Sequence, residues 1–135
     1  MLDRRMRNTF HVSNEGLSQA FDFIASFVST SGLSDSVGGR LSVIVDEVCS
    51  NLLRHASSVT ADDVFEVDLE LNASEIKMVI SDHGREFDPL EHQVDPAQDL
   101  GGHGIAIIKG LAKTISYQRM DNRNVLTIIL PSSSL

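Results

Sequence analysis

Residues 45–56 read VDEVCSNLLRHA, and helical spacing within them places Glu47, Asn51 and His55 on one stripe. Four residues turn an α-helix through about 400°, so side chains at i, i+4 and i+8 stack with modest drift. Leu41, Ile44, Val45, Val48 and Leu52 form a second stripe that reads as the side facing a core. Glu47 and Asn51 fall beside that apolar stripe, at its edge. A carboxylate and a carboxamide one turn apart suit a cation held with its polyanion, or a base beside its substrate. On its own the segment reads as an ordinary amphipathic helix with a solvent-facing Asn. Two later segments change that reading.

Bulk properties narrow the classes. At 135 residues the chain has the length of one domain, 1–135, with a core over about 10–130. Hydrophobic residues at 41% and charged residues at 22% exclude disorder and a membrane-spanning chain. The charged start, Met1 to Arg5, is followed by no apolar core, so no signal peptide is expected and the expected compartment is cytoplasmic. Cys49 is the single cysteine, which rules out an intramolecular disulfide and reads as a small buried hydrophobe inside a helix. With 11 basic and 19 acidic residues the formal charge is −8, which argues against direct nucleic-acid binding. Arg4, Arg5 and Arg7 are the dense basic cluster, expected as an unstructured basic end with a partner contact as the alternative.

Periodicity then divides the chain. Arg7 to Val12 alternates weakly and suits an edge strand. Ser13-Asn14 can cap a helix carrying Leu17, Ala20, Phe21, Ile24, Phe27 and Val28 and ending near Ser31-Gly32. Ser34-Asp35 can cap a second helix running to about His55, with Gly38-Gly39 weakening its first turn. Phe65 to Leu71 and Ile76 to Ser81 alternate with period two around a turn at Asn72 to Glu75, an antiparallel hairpin with one wet face. Asp82 to His103 lacks periodicity, and a loop of that length inside a compact domain is usually functional, often a lid. Gly104 to Ala112 reads as a third helix. Thr114 to Met120 and Asn124 to Leu130 read as a second hairpin around Asp121-Asn122-Arg123, its last strand largely buried. Helices and strand pairs are grouped instead of alternating, so the expected class is α+β: a two-layer sandwich with a mixed, mostly antiparallel sheet and helices on one face.

Two further stretches carry chemistry. SDHGREFDP places Asp82 at a strand end, where its carboxylate can accept from an exocyclic amine while Gly84 lets the backbone approach a flat ligand. A strand end followed by an ordinary turn is the competing account. Gly101-Gly102-His103-Gly104 opens the third helix and presents free N–H groups at the positive end of its dipole, which suits phosphate. It is neither a Walker A sequence nor a dinucleotide fingerprint.

Taken in order, the three stretches resemble the ATP-binding boxes of the GHKL (Bergerat-fold) superfamily. Within it the chain is similar to the bacterial anti-sigma-factor serine kinases, through DEVCSNLLRHA, DHGREFDP and GGHGIAIIKGLAKTISYQRMDNRNVLTI, over roughly Phe10 to Leu130. The resemblance implies ATP and Mg²⁺ as cofactors. It implies that Asn51 helps hold Mg²⁺ and that Glu47 is the base drawing a proton from the attacking serine hydroxyl. It further implies that Asp82 reads the adenine amine, Gly84 clears room for the ring, Gly102 and Gly104 approach the phosphates, and Thr127 supports the adenine site. For Thr127, β propensity is the alternative.

The implied function is a protein-serine kinase and anti-sigma regulator. It would phosphorylate a STAS-domain anti-sigma-factor antagonist and sequester a sigma factor or similar client, with a homodimer as a family habit. A nucleotide-gated binding module without phosphoryl transfer, and a switch protein with a non-sigma client, are the rivals. Glu86 and Ala106 stand where many members have glycine, and Glu86 would weaken nucleotide binding unless it points to solvent. His83, His92 and His103 fit no compact metal-ligand spacing and read as solvated loop histidines, and Lys109 reads as a surface residue.

Overall fold

Alternation of apolar and polar residues produces two neighbouring interior strands, β2 (Val64–Leu71) and β3 (Glu75–Asp82). The computed structural model describes residues 3–55, 63–90 and 104–133. Phe65, Val67, Leu69 and Leu71 of β2 and Ile76, Met78 and Ile80 of β3 are buried on one face, while Glu70 and Lys77 on the other are exposed. Asn72 closes the turn between them, its Oδ1 accepting from the backbone N–H groups of Ser74 at 3.3 Å and Glu75 at 3.0 Å.

β1 (Arg4–His11), β4 (Thr114–Met120) and β5 (Arg123–Pro131) complete a five-stranded sheet in the order β1-β2-β3-β5-β4. Every pairing among the described strands is antiparallel, so the sheet expected as mixed has no parallel pair there. The cause between β1 and β2 is the helical pair α1 (Asn14–Thr30) and α2 (Asp35–His55), whose two passes return the chain to the end it left. β1 begins three residues earlier than the alternation suggested and takes in the basic cluster, which is therefore not an unstructured end. Arg5 donates from Nε and Nη2 to the two carboxylate oxygens of Asp68 at 3.1 and 2.7 Å, and this pairing holds the guanidinium pKa above its usual value. The β4–β5 turn is two residues long, with Asp121 at φ 53° and Asn122 at φ 61°, the left-handed pair that matches strand twist in a tight hairpin.

The helices cover the buried face. Ser13 caps α1, its Oγ accepting from Gly16 N at 2.9 Å, and Gly32 at φ 66° ends the turn after it. Ser34 caps α2, accepting from Val37 N at 3.2 Å. Ile24 and Phe27 of α1 and Leu41, Ile44 and Val45 of α2 join the inward sheet residues in one cluster. Each large side chain fully buried there contributes roughly 1.5–3 kcal/mol. Cys49 lies inside that layer, where burial first and Asp46 second push its thiol up to about 12. α3 (Gly104–Leu111) packs on α2 and β4 through Ile108. Among the described residues no helix is long and apolar enough to cross a membrane.

One close approach in this packing is directly testable. A Cβ on Gly16 would sit 1.8 Å from the carbonyl oxygen of His11, a backbone atom that cannot swing aside. Gly16→Ala is expected to destabilise the protein by about 2–3 kcal/mol through forced displacement of the β1–α1 junction. Chemical denaturation of both forms measures it, and equal midpoints would show that the junction relaxes freely.

Candidate functional site

The antiparallel register decides what stands at the end of the sheet. Ile80 pairs with Leu126 and Leu126 with Tyr117, all on the helix-facing side. Two residues further along, Phe65 pairs with Asp82, Asp82 with Asn124 and Asn124 with Arg119. The apolar face of the sheet therefore finishes in a polar row, and α2 crosses opposite it. Between them lies a cavity of about 520 Å³. Val48 and Leu52 of α2, Ile80, Leu126 and Ile105 supply apolar wall, while Asn51, Asp82, Arg85 and Asn124 supply polar groups. An apolar slot with a few convergent polar groups is the usual form of a small-molecule site.

Asp82 stands on this cavity with one oxygen committed. Its Oδ1 accepts from Gly84 N at 2.9 Å and from Asn124 Nδ2 at 3.1 Å. Its Oδ2 accepts no hydrogen bond among the described residues. A Cβ at Gly84 would come within 2.9 Å of Asp82 Oδ1, which those two donors hold in place, so a larger residue here would press on the Asp82 carboxylate. Asn51 also lines the cavity, one wall away on α2, and its Oδ1 accepts from Arg54 Nη2. Glu47 sits one turn earlier on α2, half-buried, and is not among the lining residues.

Thr127 does not belong to this arrangement. It pairs with Val79 and Ser116, which puts it on the sheet face opposite Asp82, and it does not line the cavity. The place beside Asp82 belongs to Asn124, which the sequence analysis passed over as the first residue of a strand. A lone polar residue opening an otherwise buried strand was the signal available. Gly104 opens α3, whereas Gly102, His92, His103 and most of the expected lid lie outside the described residues. Glu86 is exposed and not part of the lining, although its charge acts on Tyr117, which is. His83 is exposed at the rim, Lys109 is an exposed α3 residue, and no cluster of metal-binding side chains occurs among the described residues.

Comparisons with known proteins give the family and the fold. Residues 10–130 match the histidine kinase-like ATPase domain. The chain belongs to that family. Over 95 residues it is 30% identical to the serine/threonine-protein kinase BtrW of Bordetella bronchiseptica, a match spanning 65% of this chain and 66% of that protein's length. The RsbU and RsbW domains of Rv1364c from Mycobacterium tuberculosis superpose with a TM-score of 0.62 at 11% identity, covering 98% of this chain and 34% of that one. The histidine kinase domain of a blue-light-activated kinase from Erythrobacter litoralis superposes with a TM-score of 0.54 at 23% identity, covering 72% of this chain and 45% of that one. Those two likenesses establish the fold alone. Membership of an ATPase family implies that this histidine kinase-like domain binds ATP.

Tyr117 reports on the site without any ligand. It is the one tyrosine of a chain without tryptophan, and its hydroxyl lies 2.5 Å from Asn124 Oδ1. Burial first, and the charge of Glu86 after it, hold its pKa above the ordinary 10 against the lowering pull of Phe87 N–H and Arg119. Stability owed to the neutral phenol is complete below about 10 and is lost as pH rises through the higher folded value. Alkaline titration of the near-ultraviolet absorbance is expected to give a midpoint above that of the denatured chain. Coincident midpoints would mean that the hydroxyl is solvated.

Proposed function

We propose that the chain is an ATP- and Mg²⁺-dependent protein-serine kinase of the partner-switching type. It would phosphorylate a serine of a STAS-domain anti-sigma-factor antagonist and, in its other state, hold a sigma factor or comparable client in the cytoplasm. The observation that carries this reading is Asp82 on an apolar slot with one oxygen uncommitted, in a cavity that Asn51 of α2 also lines. The likeness to the kinase BtrW supports the choice of chemistry.

Each group has a task in that reading. The uncommitted Asp82 oxygen accepts from the adenine amine, and Gly84 admits the ring edge. The apolar walls exclude water from both ring faces. Asn51 offers a carboxamide oxygen to Mg²⁺, a ligand type that suits a hard cation otherwise held by phosphates and water. The metal, when bound, neutralises charge developing on the transferred phosphoryl group. Arg54 already donates to that oxygen, so a cation held there would share it with, or replace, a guanidinium. Gly104, at the start of α3, and Gly102 before it would meet the phosphates with backbone N–H groups. Glu47, a turn behind Asn51, would draw the proton from the partner's serine as that hydroxyl attacks the γ-phosphorus.

A second reading has two observations in its favour. Glu47 stands off the cavity lining and Arg54 occupies Asn51, an arrangement equally suited to a nucleotide-gated binding protein that transfers no phosphate.

Two measurements separate the steps. Asp82→Asn removes a charge-assisted acceptor worth about 1.5–3 kcal/mol, so ATP affinity is expected to fall roughly 10- to 100-fold in calorimetry. Equal affinity in both forms would remove Asp82 from the site. Glu47→Gln keeps size and polarity but not basicity, so ATP binding should persist while transfer of labelled phosphate to a STAS partner falls about 10²- to 10⁴-fold. Wild-type protein that binds ATP but labels no such partner would establish the gated-binding reading instead.

A further inference from the structure

Asn124 is 8% exposed, and every hydrogen-bonding position of its carboxamide is used. Nδ2 donates to Asp82 Oδ1 at 3.1 Å and to the carbonyl oxygen of Arg85 at 2.8 Å. Oδ1 accepts from Phe87 N at 3.1 Å, from the Tyr117 hydroxyl at 2.5 Å and from Arg119 Nη1 at 3.2 Å. Arg119 Nη1 also donates to the carbonyl oxygen of Gly84 at 2.8 Å. An amide offers two N–H donors and one oxygen with two lone pairs, so this side chain is saturated.

The orientation of the amide follows from its surroundings. Flipped, its NH₂ would face the Phe87 N–H and a guanidinium, and its oxygen would face a carboxylate and a carbonyl. Four of the five contacts would become repulsive or unmade, and only the Tyr117 hydroxyl could reverse its role. The same logic separates Asn from its closest relative. An aspartate could receive the three donors, but its second oxygen would stand against Asp82 and the Arg85 carbonyl, placing like charges in contact.

We propose that Asn124 is the positioning residue for nucleobase selection. One buried carboxamide ties the 84–87 loop to β4 and β5 and holds Asp82 Oδ1 inward, so that Asp82 Oδ2 faces the cavity as a pure acceptor. An ionised carboxylate in that place accepts from a 6-amino purine and repels the 6-oxo oxygen of a hypoxanthine or guanine ring. Without the Nδ2 donor the Asp82 carboxylate loses one of the two restraints on its rotation, and the preference for an amino group weakens. This inference rests on the adenine-nucleotide reading above and adds to it the residue through which Asp82 acts.

The test compares ADP with inosine diphosphate, which differ in the 6-amino or 6-oxo group and in the N1 proton that goes with it, by calorimetry on the full chain. Wild type is expected to favour ADP by about 10²-fold, as a site built around a substrate hydrogen bond does. Asn124→Ala is expected to lose about tenfold in ADP affinity with inosine diphosphate affinity held within about twofold, so the preference falls from about 10²-fold to about tenfold. In an Asp82→Ala background, adding Asn124→Ala should cost ADP affinity no more than about twofold, because the residue acts through Asp82. Asn124→Asp, equal in size and keeping the acceptor oxygen, should lose the same preference and serves if the alanine variant does not fold. Parallel loss of both nucleotides, or an unchanged preference, would overturn the positioning role and leave the adenine reading intact. Wild type that binds the two nucleotides equally, or binds neither, would overturn the adenine reading and this inference with it.

Discussion

The register of β2, β3 and β5 is the constraint on which the remainder depends. Side chains alternate between sheet faces with period two, so a slip of one residue would send every inward residue outward. Phe65, Val67, Leu69 and Leu71 must all meet α1 and α2, as must Ile76, Met78 and Ile80. Once those seven are inside, parity leaves no choice at the strand ends. Asp82 follows Ile80 by two and faces inward, and Asn124 follows from its pairing with Asp82. The polar row at the cavity is thus a consequence of hydrophobic burial a few ångströms away.

That arrangement brings a cost with a local remedy. A carboxylate and a carboxamide at the edge of a core lose water, and each group left without a partner there would be destabilising. Asn124 meets the demand by saturation, drawing partners from the 84–87 loop and from β4. Asp82 is met only halfway, with both of its donors on one oxygen. The group left with spare capacity is the one that faces the cavity, where a ligand can complete it.

α2 divides the same labour along one helix. Leu41, Ile44, Val45 and Cys49 are sealed in the core, whereas Asn51 reaches the cavity and Arg54 lies outside with its guanidinium on the Asn51 oxygen. The apolar stripe fixes the rotation of the helix about its axis, and rotation fixes which polar residues flank the cavity. Asn51 falls on the rim by that geometry, and Glu47, one turn earlier, falls outside the lining.

Local periodicity carried most of the architecture. The caps at Ser13 and Ser34, the period-two hairpins and the order of elements were legible because each depends on residues within a few positions of one another. The motif residues Asn51, Asp82 and Gly84 were legible for a different reason: their spacing resembles that of known ATP-binding boxes, and all three line or border one cavity. What the chain could not reveal alone was long-range register. Thr127 and Asn124 lie three residues apart in one strand, and only pairing with β3 shows that Thr127 faces away while Asn124 touches Asp82. The all-antiparallel sheet and the Arg5–Asp68 pair, 63 positions apart, have the same origin. Sequence by itself determined the elements, because their signals are local. Tertiary structure decided which polar side chains meet, because that depends on which strand lies beside which, and burial of the shared core face settles it.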